Sequence, residues 1–361
     1  MRNEENSTQV FSSEQLKTVQ DMIGENEPSL FSVLQELSKK YDEKTTIFLT
    51  KEFCLNCQTY ENQRVGMEFL YMNGFREELK TLVNINKDSS NQNNVAWGEV
   101  YDFILHRKIM AQYRGEVLSF VDNYETDDEI LRCLLIFIKI YGHIDLCEFD
   151  VIENYREELT SLLLNIDDTL LRIYFQLREN ELLFLFHWMR NEVDIARNYA
   201  HNIIDNIFNQ EKKCFMHIHL SETYIFEDFD LALEHVNCAR EIALDYDLDY
   251  YVKAIDNNVI PFISAINGKY QGISTNDIAE QAHLAIAAGD NEKAIKLLKD
   301  IEKRTPFQDY YYGLAANDIS LLLSSYKRFL NERNDQFFAR LPYLELKKRG
   351  WNENEKNYHA N

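Results

Sequence analysis

The stretch GDNEKAIKLLKDIEKRTP, residues 289–306, decides the fold. Gly289-Asp290 is a turn signal. A small residue (Ala294), a bulkier one four later (Leu298) and a third three further on (Ile301) then share a helical face, and Pro306 follows five residues later. The segment FDLALEHVNCAREIAL, residues 229–244, repeats the spacing with Ala232, Val236 and Ala239. A weaker copy, EVDIARNYAHNII at 192–204, offers Ala196, Ala200 and Ile203. Small residues let paired helices approach closely, and the larger ones fill the gap between neighbouring pairs.

Spacing of this kind is that of tetratricopeptide units, and the rest of the chain agrees with it. Phe31, Leu34 and Leu37 recur at helical period, as do Leu131, Leu134, Leu135 and Ile138, and Leu284, Ala285 and Ala288. Turn signals fall between such runs at Asn73-Gly74, 84–94, Gly142, Asn267-Gly268 and Gly289-Asp290. With only 11 Gly and 4 Pro in 361 residues, turn punctuation is too sparse for an all-β or Rossmann-like protein. The expected architecture is all-α: a short N-terminal helical segment over 1–45, then a tetratricopeptide-like superhelix with C-terminal capping helices over 46–361.

Charge bounds the partner. Thirty-eight Lys and Arg against 60 Asp and Glu leave a formal charge of −22, which repels phosphate and favours a basic peptide or protein surface. The 6 cysteines are scattered through helical segments, unlike a secreted disulfide framework. The first fifteen residues hold no apolar run, so no signal peptide is expected, and no run is long enough to span a bilayer. The expectation is a cytoplasmic protein.

No Walker-type loop, GxGxxG turn, GxSxG elbow or HExxH helix occurs, and no enzyme activity or cofactor is expected. Cys54-Leu-Asn-Cys57 is a lone CxxC, better read as two cysteines on a buried helical face than as a redox or zinc motif. Cys214, His217, His235 and Cys238 have zinc-ligand chemistry, but antiparallel helices rarely bring four such side chains to tetrahedral distance, so no metal is expected. The acidic pairs Asp127-Asp128, Glu157-Glu158 and Asp167-Asp168 read as solvated faces or helix starts. Asn257-Asn258 interrupt an apolar stretch before Pro261. One amide both donates and accepts, which suits gripping a peptide backbone, and ending a helix before the proline is the equal alternative.

Three segments resemble the arbitrium receptors (AimR), peptide-sensing transcription regulators with which Bacillus phages choose between lysis and lysogeny: EFCLNCQTYENQR from Glu52, DIAEQAHLAIAAGDNEKAIKLL from Asp277 and RNDQFFARLPYLELKKRG from Arg333. The last is the most specific, and the likeness spans about 41–350. It implies a repeat superhelix around a peptide pocket, a preceding helix-turn-helix, and a homodimer on operator DNA whose activation is relieved by a short signalling peptide. By position, Glu280 and Asp335 match acidic pocket residues, and Asn257 and Asn258 match an Asn-Asn-Val. A surface salt bridge or helix cap is the alternative for each.

Departures from the family are equally specific. Leu185 and Met189 stand where its members place asparagines. Glu211 stands at the arginine expected to hold a peptide carboxylate, so Lys213, or Lys212, is the candidate after a small shift. A helix-turn-helix can be read over 13–23 and 28–40, with about forty residues ahead of the matching core. Yet residues 1–45 carry five basic side chains (Arg2, Lys17, Lys39, Lys40, Lys44) against nine acidic ones. The first turns of the second helix hold no Arg or Lys, where a recognition helix needs them. The alternative function is therefore a repeat-domain interaction module that has lost DNA binding and acts on a partner protein, as the related Rap regulators do.

Overall fold

The computed structural model describes residues 11–24, 26–110 and 114–351, and every regular element among them is helical. Arg2 and the polar tail beyond Trp351 lie outside the described residues. Successive helices pair, Arg76–Lys87 on Gln92–Met110, Ile278–Ala287 on Asn291–Leu298 and Pro306–Ala315 on Ile319–Arg333. Helices also touch the element two further on, as Glu43–Asn56 touches Arg76–Lys87 and Ile278–Ala287 touches Pro306–Ala315. Nearest-neighbour stacking of that kind defines a helical repeat protein. Of the residues that signalled it, Ala196, Ala200, Ala232, Val236, Ala239, Ala294 and Leu298 are completely buried, whereas Ile301 lies past the end of helix Asn291–Leu298 and is half-buried.

The chain divides into two units: one runs to Leu183 and includes His201–Lys213, and the other comprises Phe184–Ala200 and the chain from Cys214 onward. In the first unit the N-terminal helices are Ser13–Gln20 and Leu30–Ser38, shorter than the 13–23 and 28–40 expected. Leu30–Ser38 buries Leu30, Val33 and Leu37, and not the face of Phe31 and Leu34. Asn62 fixes that rotation, since its Oδ1 accepts from Leu30 N (3.0 Å) while its Nδ2 donates to the Pro28 carbonyl (3.0 Å). Glu27 completes the clasp by accepting from Gln58 N (2.6 Å), Thr59 N (3.0 Å) and the Thr59 hydroxyl (2.9 Å), just ahead of helix Tyr60–Met72. Burial pushes the Glu27 carboxyl up, but these bonds outweigh it and hold its pKa below the ordinary value.

Deeper in this unit Arg178 grips Glu68 with both fork nitrogens, Nε to Oε1 at 2.7 Å and Nη2 to Oε2 at 2.8 Å. Tyr101 also donates to Glu68, and the Tyr71 ring lies 4.1 Å from the guanidinium. Neither charge is exposed beyond 1%, and the pair ties two helices 110 residues apart in sequence.

The turn expected over 84–94 is confined to 88–91, between Arg76–Lys87 and Gln92–Met110, and the one expected at Gly142 is helical. Asn84 and Asn86 lie inside Arg76–Lys87, because the buried Asn86 amide donates to Leu82 O (2.8 Å) and accepts from Asn94 (2.6 Å). Gly142 lies inside Glu129–Ile144, where a Cβ would meet the Val117 and Leu118 side chains at 3.0 and 3.1 Å, so it serves close packing. Asn73-Gly74, Asn267-Gly268 and Gly289 do end helices, with Gly74, Gly268 and Gly289 at positive φ. Among the described residues no helix is long and apolar enough to cross a membrane.

Candidate functional site

The second unit contains a cavity of about 420 Å³. One wall forms around Pro261, which has no N–H to give the carbonyl four residues back, that of Asn257. The chain does not stop there, contrary to a helix ending before the proline. It widens into a π-helical turn, Ile255–Val259, and continues as Ile260–Ile266. The freed Asn257 carbonyl accepts the Thr275 hydroxyl (2.6 Å), and Asn257 Oδ1 accepts from Asn276 N (2.9 Å). Asn257 is thus fastened to the loop ahead of helix Ile278–Ala287 and does not line the cavity, whereas Asn258 does.

That helix starts at the N-cap Asp277, whose carboxylate accepts from Glu280 N (3.0 Å), and its first turn brings Glu280 to the cavity wall. Glu280 is 8% exposed. Its Oε1 accepts from the Tyr311 hydroxyl (2.9 Å), and His283 Nδ1 lies 3.4 Å from Oε2, with the imidazole stacked on the Tyr311 ring at 4.1 Å. Burial, reinforced by the Glu280 carboxylate, pushes the Tyr311 phenol far above its usual range, so it stays a donor.

Asp335 enters from the opposite end of the sequence pattern. Helix Ile319–Arg333 ends in Asn334 with left-handed backbone (φ 47°), and the reversal buries Asp335 to 1% exposure. Its Oδ1 accepts from Phe338 N (2.8 Å). Oδ2 is buried without a hydrogen-bond partner, and Arg333 Nε stands 3.9 Å away. Burial raises the Asp335 pKa to about 6, with Glu222 adding to the rise and the Phe338 N–H and Arg333 opposing it.

The other buried side-chain polar atom without a partner among the described residues is Trp188 Nε1, and Trp188 lines the same cavity. Trp97, by contrast, gives its indole N–H to Asp128 at 2.8 Å. The Trp188 ring is held by His219 (4.9 Å) and Phe338 (5.8 Å). Most buried polar groups in folded proteins are satisfied, so an orphan donor and an orphan acceptor on two residues that line one cavity set it apart. Among the described residues the wall is acidic, with Glu222, Asp277, Glu280 and Asp335 against the single guanidinium of Arg333. Phe262, Phe307 and Phe338 supply apolar surface.

Of the five residues singled out from sequence, the cavity gathers Asn258, Glu280 and Asp335. Lys213 is half-buried on helix Gln210–Thr223, belongs to the first unit and is not a lining residue. Its neighbour Lys212 is paired with Glu181. Trp188 was missed in the sequence, although it adjoins Met189, one of the two positions where asparagines were expected.

The remaining motifs do not line the cavity. The Cys54 and Cys57 thiols are buried, which pushes both pKa values up, that of Cys57 to about 12, and leaves them unreactive. His217 Nδ1 and His235 Nδ1 approach to 3.2 Å, while Cys214 Sγ donates to the Ala239 carbonyl. Among the described residues no group of three or more His, Cys, Asp or Glu is placed to hold a metal ion. Asp128 and Asp168 start helices, Asp128 accepting from Ile130 N and Leu131 N and Asp168 from Leu171 N.

Comparison with known proteins places this geometry in context. The profile of the AimR transcriptional regulator-like family matches residues 46–348. An AimR transcriptional regulator of Bacillus phage SPbeta is 21% identical over 339 residues, covering 90% of this chain and 86% of its own. That of Bacillus phage phi3T is 25% identical over 292 residues, covering 75% and 73%. An uncharacterised protein of Bacillus anthracis is 27% identical over 227 residues, covering 59% and 83%. Among solved structures, that of phAimR with ligand superposes with a TM-score of 0.72 at 20% identity, covering 90% of this chain and 98% of that one. The likeness establishes a shared helical repeat fold.

Proposed function

The chain belongs to the AimR transcriptional regulator-like family, and from that premise we propose that it is a peptide receptor of the arbitrium type. Its second unit takes up a short signalling peptide inside the bacterial cell and so sets a transcriptional choice between lysis and lysogeny. The observation that carries the reading is the pairing of Trp188 Nε1 and Asp335 Oδ2, both buried and unpartnered, on one acidic, aromatic cavity. Asp335, with Glu280 lining the same cavity, takes a cationic side chain of the peptide. The Trp188 N–H and the Asn258 amide take backbone groups. An ion pair formed inside a low-dielectric pocket is far stronger than on the surface, which suits selection of a basic peptide by a chain of net charge −22. In this reading the receptor acts as a homodimer on operator DNA, and peptide occupancy changes that binding.

Calorimetric titration with the short peptides encoded beside the gene tests the reading. It requires one of them, bearing Arg or Lys, to bind with micromolar or tighter affinity, and binding by none contradicts it.

A specific observation favours a second output. Helix Leu30–Ser38 carries no Arg or Lys, and Glu27 and Asn62 fasten it to the first repeat helices. A segment so held lacks the basic first turn of a DNA-reading helix, and the peptide sensor would then act on a partner protein. A gel shift with the DNA flanking the gene separates the two outputs: sequence-specific, salt-sensitive retardation excludes the second.

A further inference from the structure

Arg333 occupies an unusual place for a cavity residue. Among the described residues it is the only arginine or lysine on a wall with four carboxylates, it ends helix Ile319–Arg333, and its side chain is 44% exposed. Its Nε lies 3.9 Å from Asp335 Oδ2, within ion-pair range and beyond hydrogen-bond range. The guanidinium also stands 5.7 Å from the Phe307 ring centroid. Such a contact neutralises the buried carboxylate loosely and satisfies none of its lone pairs.

We propose that Arg333 is an internal competitor for the cation subsite: it covers Asp335 in the free protein and swings outward when the ligand's own cation takes the carboxylate. The inference rests on the peptide-receptor reading and adds a specificity device to it. A half-exposed arginine has water to move into, whereas Asp335 has none. A ligand guanidinium that reaches hydrogen-bond distance replaces a loose contact with a forked one. A ligand that cannot displace Arg333 is excluded, so the threshold for occupancy is set within the chain. Phe307 gives the displaced guanidinium a face to stay against.

The test uses the full chain and two probes, acetyl-Ala-Arg-Ala-amide and its neutral twin containing citrulline. Their affinities are measured for wild type, R333Q and R333K at pH 8, where Asp335 is ionised. R333Q is expected to bind the arginine probe about five- to tenfold more tightly than wild type, with the citrulline probe unchanged and the gain shrinking at high salt. R333K, which keeps the charge without the fork, falls between the two. If the arginine probe is preferred but R333Q binds it equally or more weakly, or if R333Q tightens both probes alike, the competitor role is overturned while the receptor reading stands. If neither wild type nor R333Q distinguishes arginine from citrulline, the cation subsite itself is overturned and the competitor falls with it.

Discussion

Tyr311 donates its hydroxyl to Glu280 Oε1 at 2.9 Å, and both groups are buried on the cavity wall. The bond fixes the carboxylate before any ligand arrives. Replacing Tyr311 by Phe removes the donor and leaves the acceptor inside. Loss of a bond to a buried charged group costs about 2 kcal/mol. Y311F is therefore expected to lower the urea midpoint of the protein with an unchanged m-value, and an unaltered midpoint would show that Glu280 finds another donor.

Asp335 couples ligand affinity and stability to pH in opposite senses. Its folded pKa, about 6, lies above the ordinary aspartate value, so the folded state binds the extra proton between the two. Stability from this group is full at low pH, is lost as pH rises toward 6, and stays lost above it. The displacement corresponds to roughly 3 kcal/mol at most. D335N keeps an oxygen for Phe338 N and carries no charge, so at pH 8 it should be more stable than wild type while binding a cationic peptide tenfold or more weakly. Wild-type affinity for that peptide should fall as pH drops from 7 to 5. Denaturation and calorimetry on the same samples check both signs.

The Trp188 N–H makes a separable contribution. W188F keeps most of the ring area and deletes a buried donor that has no partner. Removing an unsatisfied group is neutral or stabilising, by about 1 kcal/mol. The same change should weaken a bound peptide about three- to tenfold, because a backbone acceptor loses its donor. A variant that binds as wild type does would leave the indole without a role in recognition.

In the first unit, the bidentate pair of Arg178 and Glu68 is expected to be costly to break and cheap to replace. R178M alone strands a buried carboxylate and should destabilise by roughly 3–5 kcal/mol. Adding E68L should recover much of that loss. Equal destabilisation by the single and double variants would contradict it.

The repeat fold was legible in sequence because it rests on spacing: Ala232, Val236 and Ala239 must be small or apolar for helices to stack, and all three are fully buried. The helical asparagines and Gly142 misled, because their turn propensity is overridden by partners on the neighbouring helix, Asn94 for Asn86 and Val117 for Gly142. Glu280 and Asp335 drew notice through a family resemblance, and the cavity that gathers them with Asn258 rests on details that spacing does not carry. The π-helical turn needed Pro261 together with Thr275, and the burial of Asp335 needed the left-handed Asn334. Trp188 gave no signal of its own, since a tryptophan on a helix is ordinarily core, and only the missing partner of its N–H distinguishes it.

The location of the binding site is the central claim, and the indole N–H signals test it most directly. In protein carrying ¹⁵N-labelled tryptophan, the W188F variant assigns the Trp188 signal. Addition of an arginine-containing peptide that binds should shift that signal downfield as its N–H acquires an acceptor, while the Trp97 signal, already bonded to Asp128, stays in place. Saturable binding that leaves Trp188 unmoved would contradict the account.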